Sequence, residues 1–256
     1  MSEKKITEIQ KEYKEVPIEG LPDFIEEYIS DGRPGVSKII GVAQKRMEKL
    51  RIEKERIEKL KEYENQYWDT VSYIGGIDEV GRGPLAGPVV TACVVLPKDC
   101  SILYINDSKK LSAAKRDELY DTIMKEAVSV GIGVVSEKRI DEINILQATY
   151  EAMRQAIAES TVEPEILLND AVTIPGVNIK QVPIIKGDAK SISIGAASII
   201  AKVTRDRMMV EYDKMYPMYH FASNKGYGSA EHIAALKEYG PCPIHRCSFI
   251  GNFVDF

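Results

Sequence analysis

The sequence predicts an α/β protein: a central mixed sheet covered by helices, with a helical N-terminal extension. Three observations carry this. Strand-length apolar runs come first and then alternate with long segments of helical character, the order expected of a mixed sheet with helices packed on it. The 256 residues are 44% hydrophobic, enough for one sizeable core plus a smaller appendage. The character of the chain also changes near residue 70, which divides it into an extension (1–70) and a main domain (71–256).

Within residues 1–36, which hold Pro17, Pro22 and Pro34, the helical candidate is 23–30, closed by Asp31-Gly32-Arg33-Pro34-Gly35. Residues 38–67 read as one long charged helix with an apolar stripe of Met47, Leu50, Ile57 and Leu60 and a favourable Glu55/Lys59 pair. The stripe is too short and narrow for a coiled coil. Between Ala43 and Tyr63 there are eight cations and five acids, a balance that fits a solvated helix face and leaves room for phosphate contacts. In the main domain the strand candidates are 73–77, 88–96, 130–136, 166–169 and 182–186. Helices are expected at 112–128, 139–159, 191–214 and 229–239, the last capped by Ser229 and stopped by Gly240.

A short apolar run followed by an acid occurs three times. Residues 73–77 lead into Asp78 and Glu79, residues 166–169 into Asp170, and residues 182–187 into Asp188. Ligands of open α/β sheets gather beyond the carboxyl ends of the strands, where these side chains would point. Hard divalent cations such as Mg²⁺ or Mn²⁺ take oxygen ligands, and two of them can clamp the attacking and leaving oxygens of a phosphoryl displacement. Any one Asp in this position is also a routine turn residue; the recurrence makes the set a candidate metal centre. Asp206 lies on a helix between Arg205 and Arg207 and reads as a salt-bridging residue outside that set.

The first acids run into Val80-Gly81-Arg82-Gly83-Pro84-Leu85-Ala86-Gly87-Pro88. No Gly-Lys-Ser/Thr follows, which excludes a Walker loop, and Pro84 and Pro88 disfavour the helix that a dinucleotide fingerprint opens. Taken alone, the turn is a tight connection into the next strand; its glycines also let backbone groups approach a ligand, and Arg82 can fork onto phosphate or sugar oxygens.

The formal net charge of −5 argues against indiscriminate DNA coating. Cations nevertheless cluster locally: Lys186, Lys190, Lys202, Arg205 and Arg207, with Lys109, Lys110 and Lys225 elsewhere. Such patches are either solvated helix faces or phosphate contacts. Cys242, His245 and Cys247 lack the paired spacing and fourth ligand of a zinc site, so local packing is expected of His245. Cys93 reads as core in a reducing compartment. With a polar start and no apolar stretch of membrane-spanning length, a soluble cytoplasmic monomer is expected.

The stretch from Gly76 to Val89 is similar to the signature of bacterial ribonuclease HII. Asp107-Ser108-Lys109-Lys110-Leu111-Ser112, the segment 140–146, Lys186-Gly187-Asp188-Ala189-Lys190, residues 201–207, Asn224-Lys225-Gly226-Tyr227-Gly228 and the closing Gly240-Pro241, His245-Arg246 and Ser248-Phe249 resemble that family in order and spacing. The resemblance covers roughly residues 71–250. It implies a ribonuclease H-like fold and an endonuclease cutting 5′ to a ribonucleotide in an RNA/DNA hybrid or in duplex DNA, leaving 3′-hydroxyl and 5′-phosphate ends.

Carried over by position, it implies that Asp78, Glu79, Asp170 and Asp188 bind two Mg²⁺ or Mn²⁺ ions. Gly81, Arg82 and Gly83 would sense the 2′-hydroxyl, Tyr227 would stack on the sugar at an RNA-to-DNA junction, and Lys110 and Lys225 would contact substrate. Without the family, Tyr227 is an ordinary loop tyrosine. Asn169 departs from the Val or Ile often found before the third aspartate; it would either bond to Asp170 or sit on the exposed side of its strand. Two rivals remain: a nucleic-acid-binding module with structural acids, and a resolvase-like or transposase-like nuclease on the same fold.

Overall fold

The structure, a computed structural model, describes residues 4–254. The chain forms two compact units, one ending at Glu58 and the other beginning at Lys59, earlier than the change near residue 70 in the sequence.

The first unit contains α1 (Ile6–Glu15), α2 (Leu21–Tyr28) and most of α3 (Pro34–Leu60). Its core gathers Ile9, Leu21, Phe24, Tyr28, Val36, Ile39, Ile40 and Ala43. Helix α1 is absent from the sequence reading because its N-cap position is Lys5 rather than Ser, Thr, Asp or Asn; instead Glu8 reaches back to accept from the Lys5 amide at 2.9 Å. Helix α3 ends at Leu60, and a separate short helix, α4 (Glu62–Asn65), follows, so the long helix expected over 38–67 is broken. Glu55 pairs with Arg51 one turn upstream.

The second unit is built on a five-stranded sheet in the order β3-β2-β1-β4-β5. Its strands are β1 (Ile74–Val80), β2 (Val89–Val95), β3 (Ser129–Val135), β4 (Ile166–Asp170) and β5 (Lys180–Ile184). The pairs β1/β2 and β2/β3 are antiparallel, and β1/β4 and β4/β5 are parallel. Strand β2 is buried along its whole length, as a run that is apolar but for Thr91 requires.

Helices α6 (Glu137–Ala158) and α7 (Ile192–Met215) pack on the sheet, α5 (Ala113–Glu126) and α8 (Phe221–Asn224) pack on α7, and α9 (Ala230–Tyr239) and α10 (Cys247–Ile250) follow. Helix α6 is interrupted at Asn144, whose φ of 66° is left-handed, and the helix restarts because the Asn144 side chain caps the amides of Leu146 and Gln147. Ser229 caps α9 by accepting from the His232 amide, and Gly240 ends it with φ 73°.

Helix α7 crosses the sheet over β1, and the approach is close. A Cβ on Gly76 would lie 2.1 Å from the Ser193 carbonyl carbon, so only glycine lets the two backbones meet. Gly76→Ala should lower unfolding stability by about 3 kcal/mol or more, since both contacting groups are main chain and neither can step aside; urea denaturation of the variant checks this. Where α7 begins, the buried Glu64 of α4 accepts from the Ser191 hydroxyl at 2.6 Å and the Ser193 amide at 3.0 Å. Among the described residues no helix is long and apolar enough to cross a membrane.

Candidate active site

Asp78 and Glu79 lie inside β1, which runs on to Val80, rather than just beyond a strand ending at residue 77. Asp170 is the last residue of β4, the parallel neighbour of β1. Asp188 arrives differently: β5 ends at Ile184, Lys186 turns left-handed (φ 59°), and Asp188 sits in a single 3-10 turn, Gly187–Ala189. That turn is tied to β4, because the Gly187 amide donates to Asp170 Oδ1 at 2.7 Å.

The electrostatics show that the four acids converge. Burial first, and then the charges of Glu79 and Asp170, push the Asp78 carboxyl well above the usual carboxylate range, against the opposing hydrogen bond of Ser198. Burial raises Glu79 as well; Arg82 opposes the rise and Asp170 adds to it. Asp188 is raised by burial, then by Asp107 and Asp170, with Lys109 acting in the other direction. Asp170 is thus the common neighbour of the other three.

Among the described residues no three His, Cys, Asp or Glu side chains are drawn together tightly enough to grip an ion as they stand. These oxygens lean on nearby backbone donors: Asp78 Oδ1 accepts from the Glu79 amide at 2.8 Å, and Asp170 Oδ1 from the Gly187 amide. The donor set is all oxygen, partly desolvated and mutually repulsive, which is the chemistry a hard divalent cation relieves.

Beside the acids is a cavity of about 60 Å³ lined by Asp78, Glu79, Val80, Ser108, Lys109, Ser198, Lys202 and Tyr227. Ser108 and Ser198 hydrogen-bond to each other at 2.9 Å within it. Ser108 lies in the Asp107–Ser112 motif and Ser198 in no motif, and only the folded chain brings the two to Asp78. The Tyr227 ring is 43% exposed. It stands 3.9 Å from where a Cβ on Gly83 would be, so the glycine turn and the tyrosine share one rim of the site.

The cations divide. Lys109 lines the cavity, whereas its neighbour Lys110 is exposed and approaches Asp107 at 3.9 Å. Lys202 lines the cavity and pairs with Asp206 at 2.7 Å. Asp206 is therefore a salt-bridging residue, its partner lying one turn away on α7 rather than in the adjoining arginines. Lys225 is half-buried, with Nζ donating to the Ala222 carbonyl at 2.5 Å, and it lines an adjacent groove with Arg116, Asp206 and Arg207.

Arg205 is not a surface cation at all: it is fully buried, as is Arg246. Arg205 donates to the carbonyls of Pro88 (2.9 Å), Ala86 (3.0 Å) and Lys225 (2.8 Å). Arg246 donates to those of Gly81 (2.6 Å), Arg82 (3.1 Å) and Gly87 (2.7 and 2.9 Å). Two guanidinium forks thus hold the carbonyls of residues 81–88 from behind, leaving Arg82 and Gly83 exposed on the other side. Gly81 needs to be glycine twice over: its φ is 97°, and a Cβ would lie 2.4 Å from Arg205 Nε.

Asn169 fits neither expectation. It is fully buried, and its amide donates to the Val172 carbonyl at 3.2 Å and to Gln181 Oε1 at 2.8 Å, so it organises the loop after β4 and leaves Asp170 alone. His245 packs locally, as its sequence context suggests: Nδ1 accepts from the Cys242 amide at 2.9 Å, and Nε2 faces His232 Nε2 at 3.0 Å.

The family model for Ribonuclease HII matches residues 75–252, and that for the Ribonuclease HII N-terminal domain matches residues 5–68. The chain is 65% identical over 251 residues to a ribonuclease HII of Lachnoclostridium phytofermentans, covering 98% of each chain. It is 51% identical over 255 residues to one from Clostridioides difficile, covering 99% of this chain and 100% of that one. Among solved structures it resembles the ribonuclease H2 of Pyrococcus horikoshii, with TM-score 0.57 and 29% identity over 69% of this chain and 93% of that one. Two matching segments that span nearly the whole chain, relatives identical at half or more of their positions, and a shared ribonuclease H-like fold lead to one conclusion: the chain belongs to the ribonuclease HII family, and it is a nuclease, a hydrolase of the ribonuclease H type.

Proposed function

We propose that the protein hydrolyses the phosphodiester on the 5′ side of ribonucleotides, both in RNA/DNA hybrids and at single ribonucleotides embedded in duplex DNA, leaving 3′-hydroxyl and 5′-phosphate ends. One observation carries this reading: the acids of β1, β4 and the 187–189 turn converge beside a rim that contains both the glycine turn and Tyr227. The rival with purely structural acids has no account of one buried and three half-buried carboxylates set against one another. A resolvase-like nuclease has no use for a rim that pairs a glycine turn with an exposed tyrosine.

Asp78, Glu79, Asp170 and Asp188 would hold two divalent cations, Mg²⁺ or Mn²⁺, and such ions lower the pKa of water and polarise a phosphoryl group. The protein's own residues do the rest. Gly81, Arg82 and Gly83 present backbone and one guanidinium at the rim, where a 2′-hydroxyl distinguishes RNA from DNA. Lys109 and Lys202 place positive charge beside the carboxylates, suited to a phosphate. Lys110, exposed beside Asp107, would meet the backbone farther along, while Lys225 contributes chiefly by shaping the loop before Tyr227. No side-chain nucleophile is required, since water is the attacking group.

The test is an incubation with Mg²⁺ or Mn²⁺ and duplexes holding zero, one or four ribonucleotides. Cleavage is expected only where ribose is present; cutting of the all-DNA duplex, or none without regard to metal, overturns the proposal. Replacing Tyr227 with Ala should slow cleavage at the single ribonucleotide by about ten- to a hundred-fold, the loss of a stacking contact worth about 1–3 kcal/mol. Kinetics on the one- and four-ribonucleotide duplexes measure it.

A further inference from the structure

Tyr227 stands on a segment whose carbonyls are held one after another by buried donors. The Lys225 carbonyl accepts from Arg205 at 2.8 Å, the Gly226 carbonyl from the Leu85 amide at 2.8 Å, and the Tyr227 carbonyl from His232 Nδ1 at 2.8 Å. Lys225 and Gly226 are both left-handed, with φ 53° and 83°, so the conformation that presents the ring depends on these partners. Behind His232 is His245, Nε2 to Nε2 at 3.0 Å, and behind that the Cys242 amide, 2.9 Å from His245 Nδ1.

The direction of every proton in this chain follows from its two ends. The Cys242 amide, which only donates, is the nearest group to His245 Nδ1, ahead of the Cys242 thiol at 3.1 Å, which can donate there too, and the Cys242 carbonyl at 3.3 Å, so Nδ1 is the acceptor and the neutral ring carries its proton on Nε2. That proton points at His232 Nε2, which must accept; His232 therefore carries its own proton on Nδ1 and donates it to the Tyr227 carbonyl, which only accepts. An imidazolium at His232 would set two N–H groups against each other across 3.0 Å, and one at His245 would set its Nδ1–H against the Cys242 amide at 2.9 Å. The surroundings suit two neutral rings: both are buried, Tyr219 meets His245 edge-on at 4.8 Å and Phe221 meets His232 at 5.3 Å between ring centres. Burial lowers the pKa of both, His245 to about 4. The same stretch that supplies His245 supplies Arg246, which holds the glycine turn, so the relay and the turn are anchored together.

We propose that His232 and His245 form a one-directional hydrogen-bond relay that positions Tyr227 and so strengthens the preference for a single ribonucleotide flanked by DNA. They are positioning residues that touch no substrate, and the proposal rests on the role given to Tyr227 above. The Ser229 amide also donates to the Tyr227 carbonyl, at 2.8 Å, so losing the relay should loosen the ring's placement without unfolding the loop.

Two measurements on the full chain test this. Nitrogen-15 NMR of the histidine side chains at neutral pH should show His232 as the Nδ1–H tautomer and His245 as the Nε2–H tautomer; the reverse pair, or an imidazolium, overturns the relay itself. His232→Leu should lower kcat/KM on the single-ribonucleotide duplex about ten-fold while changing the four-ribonucleotide duplex less than about three-fold, a misplacement effect confined to the junction. His232→Asn, whose amide N–H can replace Nδ1–H, should recover part of the loss. Equal losses on both duplexes, or no loss on either, overturn the positioning role.

Tyr227→Ala measured alongside separates the two readings. If it leaves the ratio between duplexes unchanged, the junction role of Tyr227 falls and the relay's effect on specificity falls with it. If it shifts the ratio and His232→Leu does not, only the relay fails. Should His232→Leu not fold, the tautomer measurement on the unaltered chain and the His232→Asn kinetics decide.

Discussion

Asp78→Asn should reduce hydrolysis of ribonucleotide-containing duplexes by at least about a thousand-fold while leaving the folded protein as stable as before, or more so. The opposite directions follow from one cause. Asp78 is 8% exposed, and the negative charges of Glu79 and Asp170 act on it, so in the absence of a cation its ionised form is costly to the fold. An isosteric amide removes that charge and keeps the shape. The same substitution takes a charged oxygen ligand from the centre of the proposed ion pair, and losses of several kcal/mol in transition-state stabilisation are typical when such electrostatics are removed. Activity assays paired with thermal melts in metal-free buffer check both halves. A cation should then raise the melting temperature of the parent protein more than that of the variant.

The second large effect concerns stability. Arg246→Met should lower unfolding free energy by about 3–5 kcal/mol, because the carbonyls of Gly81, Arg82 and Gly87 all lose a buried charged donor and an apolar stem offers nothing in return. Arg246→Lys should not restore it, since one ammonium lacks the planar fork that reaches three carbonyls at once. Denaturant titration gives the magnitude. Part of the loss should also appear as weaker discrimination between ribose and deoxyribose, because the released turn is the one that faces the 2′-hydroxyl in the proposed function.

Much of this molecule is legible in its sequence, and the illegible parts share a physical reason. Strands β1, β2 and β4 announce themselves as short apolar runs bounded by Gly, Pro or an acid, whereas β5 begins at Lys180, two residues before the run expected at 182–186; the recurrence of a run followed by an acid points to Asp78, Glu79, Asp170 and Asp188 together. Ser229 and Gly240 end α9 where capping chemistry says they should.

What sequence does not carry is the identity of a partner distant along the chain. Arg205 sits among other charged residues on a helix and looks like a surface cation, yet its three acceptors lie up to 119 positions away. Asn169 looks like an oddity beside a ligand, but alternation along β4 turns it away from Asp170 and into the core against Gln181. Lys109 and Lys110 are equivalent on paper, and only the 108–110 turn decides which of them meets the cavity. Asp107 stands in a motif the sequence shows, but that its charge bears on Asp188 appears only in the folded chain.

Glu64 has an implication for anyone dissecting this enzyme. The family match to the N-terminal segment stops at residue 68, an inviting place to cut, yet Glu64 belongs by its hydrogen bonds to the start of α7, three residues after the turn that bears Asp188. A truncated protein begun at residue 69 would forfeit that carboxylate and leave Ser191 and the Ser193 amide looking for a substitute. The separable piece therefore ends upstream of α4, and the segment after it is already part of the nuclease.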